Sequence, residues 1–192
     1  MTEIFVNYRT SDEPLAALLI DQALTASFGV DQVFRDNRSI ELGTHFPPMI
    51  WAALQSCKVL VAVIGTRWLD ADQDGNRRID DPRDYVRREI AEALRRQVVR
   101  VIPILVGGAK LPTADMLPDD VAGLASQQYL DLRVRGAEYD IERLKNELVR
   151  LIRPSDRPEE PAKAAAADTP GQHFNFYDRV RADVIGIVYD RK

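Results

Sequence analysis

Val59-Leu60-Val61-Ala62-Val63-Ile64 is the stretch on which the fold turns. Six apolar residues follow one another with no polar alternation, and most are β-branched. That pattern marks a strand covered on both faces, as in a parallel sheet with a helix layer on each side. Moving back from it, Phe46 to Ser56 places Ile50, Ala53 and Leu54 at helical spacing, and Gln32 to Arg35 reads as a short strand. Asp12 to Ser27 carries Leu15, Leu18, Leu19 and Ala23 at helical spacing, with Ser11 or Asp12 able to cap and Gly29 as a stop. Ile4 to Tyr8 is an opening strand. Moving forward, a helix follows Pro82, and Val98 to Val106 is a strand whose Pro103 predicts a bulge or an unpaired edge. Gln127 to Leu132 is a fifth strand, and Tyr139 to Ile152 a closing helix.

The alternation of strand and helix predicts an α/β fold. It is expected as a flavodoxin-like three-layer sandwich with a five-stranded parallel sheet, plus a short C-terminal β-prone tail. Such sheets bind ligands outside the carboxyl ends of their strands. Here those ends are Tyr8-Arg9-Thr10, the residues from Arg35 onward, and Gly65-Thr66-Arg67-Trp68. The main domain is expected over residues 1–153. Residues 154–171, punctuated by Pro154, Pro158, Pro161 and Pro170, read as a disordered linker. Residues 172–192 hold Phe174, Phe176, Val180, Val184, Ile185, Ile187 and Val188, too few to form a core alone, and are one candidate oligomerisation element.

The bulk numbers remove several classes of function. The 192 residues carry 26 Lys and Arg against 30 Asp and Glu, a net charge of −4, with the signs interspersed. No basic stripe of the kind that binds nucleic acid emerges. The one cysteine, Cys57, excludes an internal disulfide, and neither His45 nor His173 is an obvious partner for a thiol nucleophile, so Cys57 reads as a buried packing residue. The chain enters Ile4-Phe5-Val6 without a basic leader, and no apolar run approaches the roughly 20 residues that span a bilayer. A cytoplasmic protein with no membrane contact is expected.

The helix after Pro82 is the most informative for chemistry. Asp81 is the expected N-cap and Pro82 the first helical residue. At about 100° per residue, Val86, Ile90, Ala93, Leu94 and Gln97 group on one side and Arg88 and Arg95 point away. Glu89 falls on the border, one turn from Tyr85. Read from periodicity alone, it is either an ordinary boundary acid paired to an arginine or a carboxylate beside an aromatic in a cleft. Arg9 likewise suits either a salt bridge or an anionic ligand at a helix N-terminus. Asp70-Ala71-Asp72-Gln73-Asp74-Gly75, with Asp81 at the twelfth position, matches the start of a calcium loop. It follows a strand, has Arg77 where an aliphatic belongs and lacks the bidentate Glu, so an acidic turn with no metal is expected.

Taken together, five stretches resemble the TIR (Toll/interleukin-1 receptor) family. Phe5-Val6-Asn7-Tyr8-Arg9-Thr10-Ser11-Asp12 is similar to its opening strand, commonly FISYRRxD. Phe34-Arg35-Asp36 through Gly43-Thr44-His45-Phe46 resembles the BB loop. Ser56 to Gly65 resembles the end of the second helix and the third strand, and Val101 to Val106 the fourth strand. Asp81-Pro82-Arg83-Asp84-Tyr85-Val86-Arg87-Arg88-Glu89-Ile90 resembles the bacterial DPxDWVRxEI pattern, with Tyr85 where the family usually has Trp. The resemblance spans about residues 2–153.

It implies an enzyme that cleaves NAD to nicotinamide and ADP-ribose or a cyclised product, with Glu89 catalytic. Tyr8, Arg9, Asp36, Gly43, Phe46, Trp68 and Tyr85 are the expected substrate-binding residues. The pyridinium is already a good leaving group, so one carboxylate that stabilises an oxocarbenium-like transition state suffices, without metal, second acid or cofactor; NAD is the substrate. The resemblance also implies self-association through the 35–46 loop and a part in antiphage defence or signalling. Two alternatives stand beside it. One is a non-catalytic interaction module using the same loop as a signalling scaffold. The other is a phospho-receiver, which needs an acceptor Asp at the end of the third strand, where Ile64-Gly65-Thr66 stands.

Overall fold

The computed structural model describes residues 2–35 and 46–152, the side chains of Phe46 and Pro47 excepted. The 35–46 loop from Asp36 on, with Gly43, therefore lies outside the described residues, as do the 154–171 linker and the 172–192 tail. Five strands, β1 (Ile4–Asn7), β2 (Val33–Arg35), β3 (Val59–Ile64), β4 (Arg100–Val106) and β5 (Leu130–Leu132), form a parallel sheet in the order β2-β1-β3-β4-β5. The helices among them are α1 (Pro14–Phe28), α2 (Phe46–Ser56), α3 (Tyr85–Arg95) and α4 (Ala137–Ile152). Among the described residues, no helix is long and apolar enough to cross a membrane.

Side-chain alternation along the strands builds two separate cores. Phe5, Leu60, Ala62 and Ile64 point to one face and meet Ile50 and Leu54 of α2 and Val86 and Ile90 of α3. Ile4, Val6, Val59, Val61 and Val63 point to the other and meet Ile20 and Leu24 of α1 and Leu144 and Leu148 of α4. Each residue of β3 is buried, as its uninterrupted apolar run predicts. It is the third of five strands and has helices above and below.

Several expectations need correction. α1 buries Ala17, Ile20, Asp21, Leu24 and Phe28, while Leu15, Leu18 and Leu19 are 77%, 37% and 44% exposed. The helix carries two apolar stripes of equal period, and only the neighbouring sheet selects between them. Asp21 enters the chosen stripe because Arg35 meets its carboxylate at 3.1 Å. Neither Ser11 nor Asp12 caps α1; the N-cap position is Glu13, without a side-chain cap bond. Gly29 does end the helix, at φ 98°, a conformation open to glycine. α3 starts at Tyr85 with Asp84 as its N-cap; Asp81 instead accepts from the Arg83 amide at 2.8 Å, with Pro82 inside that turn. The helix ends at Arg95, which leaves Gln97 exposed. Pro103 makes no bulge, since β4 stays in register with β3 from Arg100 to Leu105. β5 pairs with β4 only from Ile104, so the proline occupies the part of β4 that β5 leaves unpaired.

Candidate active site

The strand order reverses between β1 and β3, and the loops leaving their carboxyl ends converge there. β1 ends on Asn7, two residues beyond Phe5 and so on the same face, toward α3. Asn7 is fully buried. Its Nδ2 donates to Glu89 Oε2 at 2.7 Å and to the Val86 carbonyl at 3.3 Å. Glu89 is 6% exposed and belongs to the inward side of α3 with Val86, Ile90 and Ala93. The border position read from periodicity thus lies on the buried side of the helix.

Arg9 forms a bidentate pair with Asp84, Nη1 to Oδ1 at 3.0 Å and Nη2 to Oδ2 at 2.8 Å, and both side chains are buried. Asp84 Oδ2 also accepts from the Arg87 amide at 3.1 Å, which caps α3. One carboxylate therefore starts the Glu89 helix and fastens it to the loop after β1. The Arg9 guanidinium stands 5.8 Å from the centre of the Trp68 ring. Asp12, freed from any capping role, reaches across to the end of β3, where Oδ2 accepts from the Gly65 amide at 2.7 Å and Oδ1 from that of Arg67 at 2.9 Å. A Cβ at position 65 would sit 2.5 Å from Asp12 Oδ1, so this approach requires glycine. Burial beside that contact pushes the Glu13 carboxyl above its usual range, and the Asp12 charge adds to the effect.

Between these loops lies a cleft of about 280 Å³ bordered by Tyr8, Arg9, Thr10, Arg78, Asp84 and Tyr85. Tyr85 is 41% exposed and offers its ring to the cleft. Arg88 backs that ring at 5.7 Å and also covers Trp51 at 4.7 Å. Tyr8 is buried, with the Arg35 guanidinium 5.8 Å from its ring.

Of the residues expected at the site, Tyr8, Arg9 and Tyr85 border one cleft, and Glu89 lies one helical turn from Tyr85 on the buried side. Trp68 is 2% exposed and packs in the α2–α3 core, where it underlies Arg9. Asp36, Gly43 and the Phe46 side chain lie outside the described residues. Sequence reasoning missed Asn7, Asp12 and Asp84. A signal existed for Asn7, a polar residue in phase with Phe5 at a core-facing strand position. None marked the partners of Asp12 or Asp84, which are 53 and 75 residues away.

The acidic turn is closed by its own groups. Asp72 Oδ1 accepts the amides of Asp74 and Asn76, both at 2.9 Å, and Ala71 bridges Arg77. Asp81 pairs with Arg83.

The TIR domain family model matches residues 4–149. The chain belongs to the TIR family. Among solved structures, the TIR domain is similar to the TIR domains of the activated Roq1 resistosome, which directly recognises the pathogen effector XopQ. The TM-score is 0.59 at 12% identity, over 77% of this chain and 99% of that one. It is also similar to the TIR domain of the Toll-related receptor TRR-2 from Hydra magnipapillata, with a TM-score of 0.50 at 17% identity over 77% and 98% of the two chains. At these identities the likeness is one of fold. No curated protein matches this TIR domain.

Proposed function

We propose that this TIR domain is an NAD glycohydrolase that releases nicotinamide and leaves ADP-ribose or a cyclised form, with Glu89 as its catalytic carboxylate. The observation that carries the reading is Glu89 itself. A carboxylate 6% exposed sits at the strand-order reversal, against a strand-end amide and one turn from an aromatic that borders a cleft. A buried acid is costly unless it is hydrogen-bonded or paired, and buried acids beside clefts cluster at functional sites. In the reaction, the ribose–nicotinamide bond lengthens and positive charge grows at C1′. The Glu89 carboxylate accepts a bond from a ribose hydroxyl and stabilises that charge, in a setting where little water screens it. Tyr85 stacks on a ring of the substrate. Arg9 is committed to Asp84, so an anionic group of NAD competes for it with that carboxylate. Glu89 is not among the residues that border the cleft, so the ribose reaches its carboxylate only on a rearrangement of the cleft lining. Assembly through the 35–46 loop, and a role in defence or signalling, complete the proposal.

The assay is nicotinamide release from NAD by concentrated protein. Glu89→Gln, which retains the volume and an acceptor for Asn7, is expected to lower turnover at least ~100-fold with an unchanged melting temperature. A second reading, a non-catalytic scaffold, is favoured by the same burial of Glu89 and by the exposed Leu15, Leu18 and Leu19 on α1. Absence of turnover by the wild type at every concentration and assembly state decides for the scaffold.

A further inference from the structure

A carboxylate that must meet a sugar cation has to be ionised and aimed before substrate arrives, and one amide is placed for both tasks. Asn7 Nδ2 faces two oxygens, Glu89 Oε2 at 2.7 Å and the Val86 carbonyl at 3.3 Å. Those two acceptors fix how the amide is turned. Rotated by half a turn, Oδ1 would confront both oxygens and each bond would become a repulsion. Val86 and Glu89 belong to the same helix, so a single donor group ties the carboxylate, the helix backbone and the end of β1 together. At the other end of the amide, Oδ1 is buried and finds no hydrogen-bond partner among the described residues. An unmet acceptor in a position closed to water is a standing cost. Only the donor end of the amide has hydrogen-bond partners among the described residues.

We propose that Asn7 is a positioning residue for Glu89, whose amide N–H aims the carboxylate at the β1–β3 junction and favours its ionised form. The proposal rests on the reading of Glu89 as the NAD-cleaving group. A donor to the charged form lowers a carboxylate's hold on its proton. Among the described residues, Arg9 is paired with Asp84, Asp12 with the Gly65 and Arg67 amides, and Arg88 covers Tyr85 and Trp51.

The deciding experiment is a carbon-13 NMR titration of protein labelled at glutamate, with the Glu89 signal assigned by its loss in Glu89→Gln. In Asn7→Leu, close in shape and without a donor, the Glu89 midpoint rises by about one pH unit relative to wild type. In Asn7→Asp, where two carboxylates face each other, it rises further. Asn7→Ser, whose side chain stops short of Glu89, repeats the comparison should the leucine variant fail to fold. An unchanged midpoint in a folded variant overturns the proposal. In the NAD assay, Asn7→Leu lowers kcat about tenfold or more with KM within about twofold, and the acidic limb of the kcat profile moves with the NMR midpoint. A wild type that turns over no NAD removes the enzymatic reading, while the titration still decides for or against Asn7.

Discussion

Cys57 and Glu89 are both buried, and their chemistry diverges for reasons local to each. Burial in the α2–α3 core pushes the Cys57 thiol up to about 11, and its Sγ–H donates to the Leu54 carbonyl at 3.1 Å. At pH 8 almost no thiolate is present, and the thiolate is the reactive form. Folded protein is therefore expected to resist a disulfide reagent such as DTNB at pH 8, with full labelling only in denaturant. Prompt labelling of the native protein would contradict this placement. Glu89 instead faces a donor, and its burial was not legible in the residue pattern. Periodicity put it on a border because the mean helical angle cannot resolve which side of that border the β1 end will cover.

At the level of single helices, α1 and α3 show two kinds of partial legibility. Both were recognisable from apolar spacing. For α3 the inward face was correct at Val86, Ile90 and Ala93, but its start was placed at Asp81, three residues before the observed cap. Asp81 and Asp84 are equally good caps by type, and the Arg9 pair draws Asp84 into the role. For α1 the helical spacing of Leu15, Leu18, Leu19 and Ala23 marks the element but not its inward face, which Ala17, Ile20, Leu24 and Phe28 supply. Leu24→Ala is expected to cost about 2–5 kcal/mol, whereas Leu15→Gln stays within about 0.5 kcal/mol. Urea unfolding of the two variants checks this, and equal losses would place Leu15 in the core after all.

Across the entire domain, the acid response follows from how buried carboxylates are paired. The Arg133 guanidinium, at 2.7 Å and 3.1 Å, holds the Asp140 carboxyl below its usual range, and the Arg133 amide adds to the effect. A carboxyl depressed in the folded state binds its proton less readily there than in the unfolded chain. The stability it contributes is complete above the ordinary Asp value of about 4 and is lost as pH falls through the lower folded value. Thermal melts from pH 7 to pH 3 should show wild type above Asp140→Asn at neutral pH, with the gap closing in acid. A gap constant with pH would rule out the pair as its source. The exposed Arg133 places this contribution near the surface, so added salt should narrow it.

Sequence patterning alone established the α/β class, the parallel sheet and the approximate place of each described strand and helix, because burial on one or two faces leaves a period in the chain. It also located the segment holding Glu89 and the Arg9 loop. The register of distant partners came only with the three-dimensional arrangement: Asn7 on Glu89, Arg9 on Asp84, Asp12 on Gly65. Those contacts depend on where strand ends converge, and pairing at 53 to 82 residues of separation leaves no local trace in composition or spacing. The choice between the two stripes of α1 was likewise made by packing, since a helix with two apolar faces is indifferent until a sheet covers one.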